Sequence, residues 1–169
     1  MKKLFLFGTL ALAGFLTACD KDDDEDVNAT DQQFVMSAGM ANRAEINAGQ
    51  LAATRGSSAS VRTYGQMMVT EHTQAQNDLR SVSNDEGITM SDTVDATHQA
   101  LMARLITLNG YQFDTAYMNS QVRDHQASIQ LFQSAISSGE NDRVRTYANT
   151  YLPKIQMHYT AADSIRQRL

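Results

Sequence analysis

The strongest constraint on this chain is a helical stripe from Val61 to Val82. Taken every three or four residues it reads Val61, Gly65, Met68, His72, Ala75, Leu79, Val82. Apolar spacing of this kind marks the face that a helix buries against its neighbours. A histidine at the centre of such a face is buried, and a buried imidazole needs a hydrogen-bond partner or a metal.

Three other segments share the design. The first carries Phe34, Ala38, Ala41, Glu45, Ala48 and Ala52. Another carries Met118, Val122, His125, Ile129, Phe132 and Ile136. The last carries Val144, Ala148, Tyr151, Ile155, His158, Ala162, Ile165 and Leu169. A shorter stripe, Val94, His98, Leu101, Leu105 and Leu108, precedes the third long one. No stretch alternates with period two, so no sheet is predicted. The expected fold is all-α: a ferritin-like four-helix bundle with an extra shorter helix before the third long helix.

Local signals place the helix ends. Thr30-Asp31-Gln32-Gln33 predicts a capping box, with Thr30 and Gln33 as its partners. Gly56 stops the first helix and Ser57 or Ser58 starts the second. Asn84-Asp85-Glu86-Gly87 ends that helix, and Ser91 or Asp92 is expected to cap the shorter one. Asn109-Gly110 breaks it, Ser138-Gly139 closes the third long helix, and Asn141 or Asp142 caps the last. The short connections at Gly56 and Gly139 predict antiparallel pairs. Pro153, the single proline, sits inside the last stripe and predicts a bend or two consecutive helices.

The N-terminus predicts an address. Lys2 and Lys3 precede an apolar run, Leu4–Leu16, that is too short for a comfortable span and fits a signal peptide. Leu16-Thr17-Ala18-Cys19 resembles a bacterial lipobox, in which Cys19 becomes lipid-modified and N-terminal. Cys19 is the one cysteine, so no disulfide framework forms within a chain. Asp20-Lys21-Asp22-Asp23-Asp24-Glu25-Asp26 is a solvated tether. It resembles the export signal of some surface lipoproteins, although Asp after the cysteine suggests inner-membrane retention in other groups. The expected division is 1–18 signal peptide, 19–29 lipidated cysteine and acidic tether, and 30–169 bundle, with outer-membrane attachment through the lipid. The whole chain has 14 basic and 19 acidic residues; without Lys2, Lys3 and the tether, 11 and 13 remain. That balance gives no sign of a nucleic-acid partner.

Each long stripe holds one ionisable residue: Glu45, His72, His125 and His158. Glu45 lies 11 residues before Gly56 and His72 lies 15 after Ser57; His125 lies 14 before Gly139 and His158 lies 17 after Asn141. At ~1.5 Å rise per residue the members of each hairpin differ by about one turn, so all four reach mid-bundle. Three imidazoles and a carboxylate suit zinc, copper, iron or manganese. Glu71 and Asp124 are placed to orient imidazoles or complete a shell, though adjacent helix positions point about 100° apart. The competing expectation is a buried Glu–His network that fixes register. Nine methionines and no tryptophan add copper(I) handling, with Met157 beside His158 as the suggestive neighbour and Met68 and Met118 as core filler. Asp114 and Tyr117 share a face and predict a local hydrogen bond. No nucleophile elbow and no phosphate loop is present.

Phe34, Glu45, Gly49, Leu51-Ala52, Val61-Arg62 and Met67-Met68 before Glu71-His72 form a dispersed pattern. It continues through Phe113-Asp114-x-x-Tyr117, His125 and Leu152-Pro153-x-x-x-x-His158. From about Asp31 to Ala162 this resembles the family called domain of unknown function 4142. The resemblance implies a ferritin-like bundle in an exported or outer-membrane protein, and no established activity. The chain departs from the di-iron pattern: Ala48, Gln74 and Ala127 stand three after Glu45, Glu71 and Asp124, so the long helices hold no Glu-x-x-His motif. The expected function is an envelope lipoprotein acting as a binding or structural module. The alternative is a metal-binding protein or oxidoreductase using the mid-bundle residues.

The lipid assignment is tested at its one thiol. Cys19→Ala should release the protein from membranes, because the acyl chains supply its membrane affinity. Unchanged membrane partitioning in that variant rejects it.

Overall fold

The computed structural model describes residues 27–169. The predicted signal peptide, Cys19 and the acidic run 20–26 lie outside the described residues. Among the described residues there are five helices and no strand: α1 (Ala29–Arg55), α2 (Ala59–Asp85), α3 (Ala96–Thr107), α4 (Gly110–Ser138) and α5 (Asp142–Arg166). α1 packs chiefly on α2 and α4 on α5; the two hairpins then meet through α1 on α4 and α2 on α5. The chain from Glu86 to Asn109, with α3 in it, is one long crossover that returns to the Gly56 end. Four-helix bundles with a single long crossover have this connectivity.

Two helix starts differ from expectation. The α1 N-cap is Asn28, not Thr30. Asn28 Oδ1 accepts the Asp31 N–H at 2.9 Å, and Asp31 Oδ2 accepts the Asn28 N–H at 3.1 Å. Gln33 instead donates to Ser37 Oγ at 2.8 Å. α3 starts behind Asp95, whose carboxylate accepts the N–H groups of Thr97 and His98, and not behind Ser91 or Asp92. Asp92 is drawn away to Arg80, at 2.7 and 2.8 Å. α5 runs through Pro153 as one continuous helix.

Asp31 and Asp114 knit the hairpins together. Asp114, on α4, accepts the N–H groups of Ser57 and Ser58 at 2.8 and 2.7 Å, closing the α1–α2 turn from the other hairpin. Its expected bond to Tyr117 is absent: the carboxylate faces that turn, and Tyr117 Oη is buried without a partner among the described residues. Asp31, on α1, accepts the N–H groups of Glu140 and Asn141 at 3.1 Å each, closing the α4–α5 turn. Arg62 donates to the carbonyls of Gly56 and Ser57, and Arg145 to those of Gly139 and Glu140. Asp31 and Asp114, Gly56 and Gly139, and Arg62 and Arg145 are each 83 positions apart. At the same offset Val61-Arg62-Thr63-Tyr64 repeats as Val144-Arg145-Thr146-Tyr147. The bundle is thus two copies of one hairpin design, a repeat that the apolar periods alone do not reveal.

Two apolar clusters fill the interior. Around Phe34, Leu79, Phe132, Val144 and Tyr147 lies the one nearer Gly139. Around Val61, Met68, Phe113, Tyr117 and Met118 lies the one nearer Gly56. Gly49 and Gly65 let α1 and α2 approach closely: a Cβ on Gly65 would stand 2.7 Å from the Ala53 nitrogen. Between the clusters runs a buried polar layer of Asn42, Glu45, His72, Gln121, His125 and His158.

Asp114 is 2 % exposed, so its loss leaves two turn amides without an acceptor. Asp114→Ala should destabilise the bundle by about 3 kcal/mol, since hydrogen bonds to charged groups contribute about 1.5–3 kcal/mol each. Urea unfolding reads this out; a loss under about 0.5 kcal/mol, the ordinary surface range, contradicts the role.

Candidate metal centre

The stripe that carries the buried face of α2 points His72 inward. The same logic on α4 and α5 brings His125 and His158 to meet it. Ring centroids are 5.7 Å apart for His72–His125 and 5.3 Å for both His72–His158 and His125–His158. One nitrogen from each ring lies within 4.8 Å of one from each of the others. All three residues are at most 7 % exposed.

Each ring is anchored from behind through one nitrogen. His72 Nδ1 lies 2.9 Å from Asn42 Oδ1. The amide's orientation follows from a chain of bonds: Asn42 Nδ2 donates to Tyr147 Oη, which donates to the Ala75 carbonyl. Asn42 Oδ1 therefore accepts, and His72 Nδ1 carries the proton. His125 Nδ1 faces the Gln121 carbonyl at 2.9 Å, and His158 Nε2 faces Glu71 Oε2 at 3.0 Å. Carbonyl and carboxylate can only accept, so these nitrogens are protonated as well. The remaining nitrogens, His72 Nε2, His125 Nε2 and His158 Nδ1, are buried lone pairs with no hydrogen-bond partner among the described residues.

Electrostatics keep the rings neutral. Burial pushes His72 well below its ordinary value, and the neighbouring imidazoles His125 and His158 push it further. Burial lowers His125 to about 4 against the opposing Gln121 carbonyl. It also lowers His158 to about 4, assisted by His125 and opposed by Glu71. Three neutral imidazoles, each with a free lone pair, form a donor set for a cation.

Glu45 is the fourth member of the layer. Its Oε2 accepts from Gln121 Nε2 at 2.7 Å, and its Oε1 lies 3.8 Å from His125 Nδ1. Burial raises its pKa to about 7, with the Gln121 bond pulling the other way. Asp124 turns away from the imidazoles. It pairs with Arg123 at 3.0 Å and stands 3.7 Å from His98 Nε2. Met157 is 60 % exposed, on the side of α5 away from the rings, so it offers them no sulfur. Met68 and Met118 are core residues of the cluster nearer Gly56.

Asn42 and Gln121 escaped the sequence analysis. Both sit one helical turn from a singled-out residue, Glu45 and His125, which is the signal that could have exposed them. The hairpin repeat adds a comparison. At the offset of 83, His72, His125 and His158 correspond to Ile155, Asn42 and Ala75. Tyr147 donates to the Ala75 carbonyl, and its counterpart Tyr64 donates to the His158 carbonyl at 3.3 Å. The scaffold bond persists with alanine in place of histidine, so the hairpin design does not itself require an imidazole there.

A crystal structure of a DUF305 fragment from Deinococcus radiodurans is similar to this chain, with a TM-score of 0.75. The likeness covers 85 % of this chain and 99 % of that one at 14 % identity, and it shows the fold alone. No curated protein matches the chain. The model of the domain of unknown function DUF4142 matches residues 17–165, and the chain belongs to that family.

Proposed function

We propose that this protein is an envelope lipoprotein whose bundle binds one transition-metal ion at His72, His125 and His158. One observation carries the reading: the three rings bring a nitrogen each within 4.8 Å of the others, and each ring, held by an acceptor on one nitrogen, leaves its other nitrogen buried and without a partner among the described residues. A buried polar atom left unpaired costs about 1–3 kcal/mol. Three at one point are hard to reconcile with a purely structural network, whose members would bond one another. A single water has two protons and satisfies two of three lone pairs; a cation accepts all three. A tetrahedral ion with ~2.0–2.1 Å bonds holds its nitrogens roughly 3.4 Å apart, so binding draws the rings inward.

An all-imidazole set suits zinc or copper better than manganese, which prefers carboxylate oxygen. Three neutral ligands leave the ion's charge uncompensated. Glu71, through His158, and Glu45, beside His125, supply the negative charge. Cys19 and the acidic tether, with the family resemblance, support placement at the outer membrane. The reading concerns binding, and no turnover follows from it.

The test is metal analysis of the protein purified without a histidine tag and loaded with zinc or copper. One ion per chain is expected, and chelator should lower the melting temperature. Ligand at 1,000 times its Kd stabilises by about 4 kcal/mol. His72→Ala and His158→Ala should lose the ion and the chelator effect together. If wild type takes up no metal and chelator leaves its melting unchanged, the layer is structural.

Acid tests both forms. In the metal-free form the depressed imidazoles stay neutral while the unfolded chain protonates near 6.5. Their contribution is therefore full above pH 6.5 and is lost as pH falls toward about 4. Glu45 acts oppositely, its contribution being present below pH 4.5 and lost as pH rises through about 7. Three imidazoles outweigh one carboxyl, so the metal-free melting temperature should fall between pH 6.5 and 4. The metal-bound form should fall in parallel over that range, because its imidazoles are also unprotonated while the unfolded chain takes up the same protons. The gap between the two curves should close only below about pH 4, where the folded imidazoles protonate and release the ion. A gap that already closes near pH 6 would contradict this.

A further inference from the structure

A second group of metal-binding side chains lies outside the imidazole layer. α1 and α4 leave a cleft of about 270 Å³ between them, lined by Ala41 and Glu45 on one side and Asp124 and Ser128 on the other. Asp95 and His98, at the start of α3, close its outer edge. Asp95 Oδ2 lies 2.5 Å from His98 Nδ1, and Asp124 Oδ2 stands 3.7 Å from His98 Nε2, so the ring lies between two carboxylates. Carboxylate–histidine pairing of this kind is what orients metal-ligating imidazoles. The side chains of His98 and Asp124 are 19 % and 14 % exposed, so solvent reaches both. At the inner end stands Glu45, only 6 % exposed, whose Oε1 takes no hydrogen bond among the described residues and lies 3.8 Å from His125. The cleft therefore grades from a solvent-touched His–Asp pair to a buried carboxylate oxygen beside the proton-bearing edge of His125, whose free Nε2 lies on the far side of the ring.

We propose that this cleft is the port by which a divalent metal ion reaches the imidazoles, with His98 and Asp124 capturing it and Glu45 passing it on. The inference rests on the metal reading above. The carboxylates of Asp95 and Asp124 draw a cation into the cleft, which the neutral imidazoles cannot do from a distance. Arg123 holds both Asp124 oxygens from outside, at 3.0 and 3.2 Å, so an arriving dication must displace this guanidinium. The aquo ion sheds waters as His98 Nε2 and the carboxylate oxygens replace them, then exchanges these for the imidazole nitrogens; no redox step is involved. Among the described residues the α2–α5 face is tighter. Between α2 and α5, beside Glu71, Lys154 and His158, the free space is about 10 Å³, and the Lys154 ammonium repels a cation there. A space of that size admits about one water, not a hydrated ion.

The experiment is stopped-flow loading of the metal-free, full-length protein with Zn²⁺, following free zinc by a fluorescent indicator. His98→Ala removes the capture ligand and Ser128→Leu narrows the cleft without touching a ligand. Each should slow loading tenfold or more while the final stoichiometry stays at one ion. Lys154→Met, on the opposite face, should load at the wild-type rate. Wild-type loading in either cleft variant overturns the port, as does faster loading in Lys154→Met. Loss of stoichiometry in His98→Ala also overturns it, because His98 would then belong to the resting site. Wild-type protein that takes up no zinc defeats the metal reading itself, a result distinct from all of these.

Discussion

Everything in this bundle hangs on two carboxylates that reach across it. Asp31 and Asp114 each leave their own hairpin to close the turn of the other. Helix packing alone is permissive along the axis, since ridges fit grooves at more than one turn. A carboxylate that must meet two particular amide N–H groups is not permissive: a slip of one turn, about 5.4 Å, breaks both bonds at both ends. The register thus set decides which residues of α1 and α2 face which residues of α4 and α5. Without it, three histidines on three separate stripes would have no reason to share a level.

The same scaffold, repeated at an offset of 83, separates what the fold needs from what the site adds. The turn glycines, the two arginines that bond turn carbonyls and the Val-Arg-Thr-Tyr segments occur in both hairpins and do the same work in each. The imidazoles do not repeat. Their counterparts are an isoleucine that packs, an alanine whose carbonyl accepts from Tyr147, and the asparagine that orients His72. A protein built only for stability would do well to fill the middle with more isoleucine and alanine. Replacing buried polar groups by apolar residues of the same shape is often neutral or stabilising. The polar layer therefore calls for a reason beyond folding, and three unmatched lone pairs supply one.

Much of the fold was legible because burial leaves a period in the sequence. The stripes gave four long helices and one short one, and glycine and asparagine gave their ends. Counting rises from Gly56 and Gly139 sufficed to bring Glu45, His72, His125 and His158 to one level. Tertiary demands were not legible. Asp31 looks like an ordinary first-turn acid, and only the α4–α5 turn beside it explains why the cap moves to Asn28. Asp92 looks like an N-cap until Arg80 is seen to hold it, which leaves the role to Asp95. Asn42 and Gln121 look like polar residues tolerated at the edge of a stripe. Their roles depend on partners 30 and 76 positions away, which no local pattern records.

Glu45 shows why the layer is asymmetric in charge as well as in composition. A carboxylate in the centre of three neutral imidazoles would favour their protonated forms and so turn lone pairs into N–H donors. Here Glu45 sits to one side, bonded to Gln121 and 3.8 Å from the His125 nitrogen that already carries a proton. Gln121 serves both neighbours at once: its amide donates to Glu45 and its carbonyl accepts from His125. That one residue keeps the carboxylate off the ring while fixing the ring's tautomer. When Glu45 ionises, near pH 7, its charge stays at the rim of the layer, facing the cleft and apart from the three unpartnered ring nitrogens.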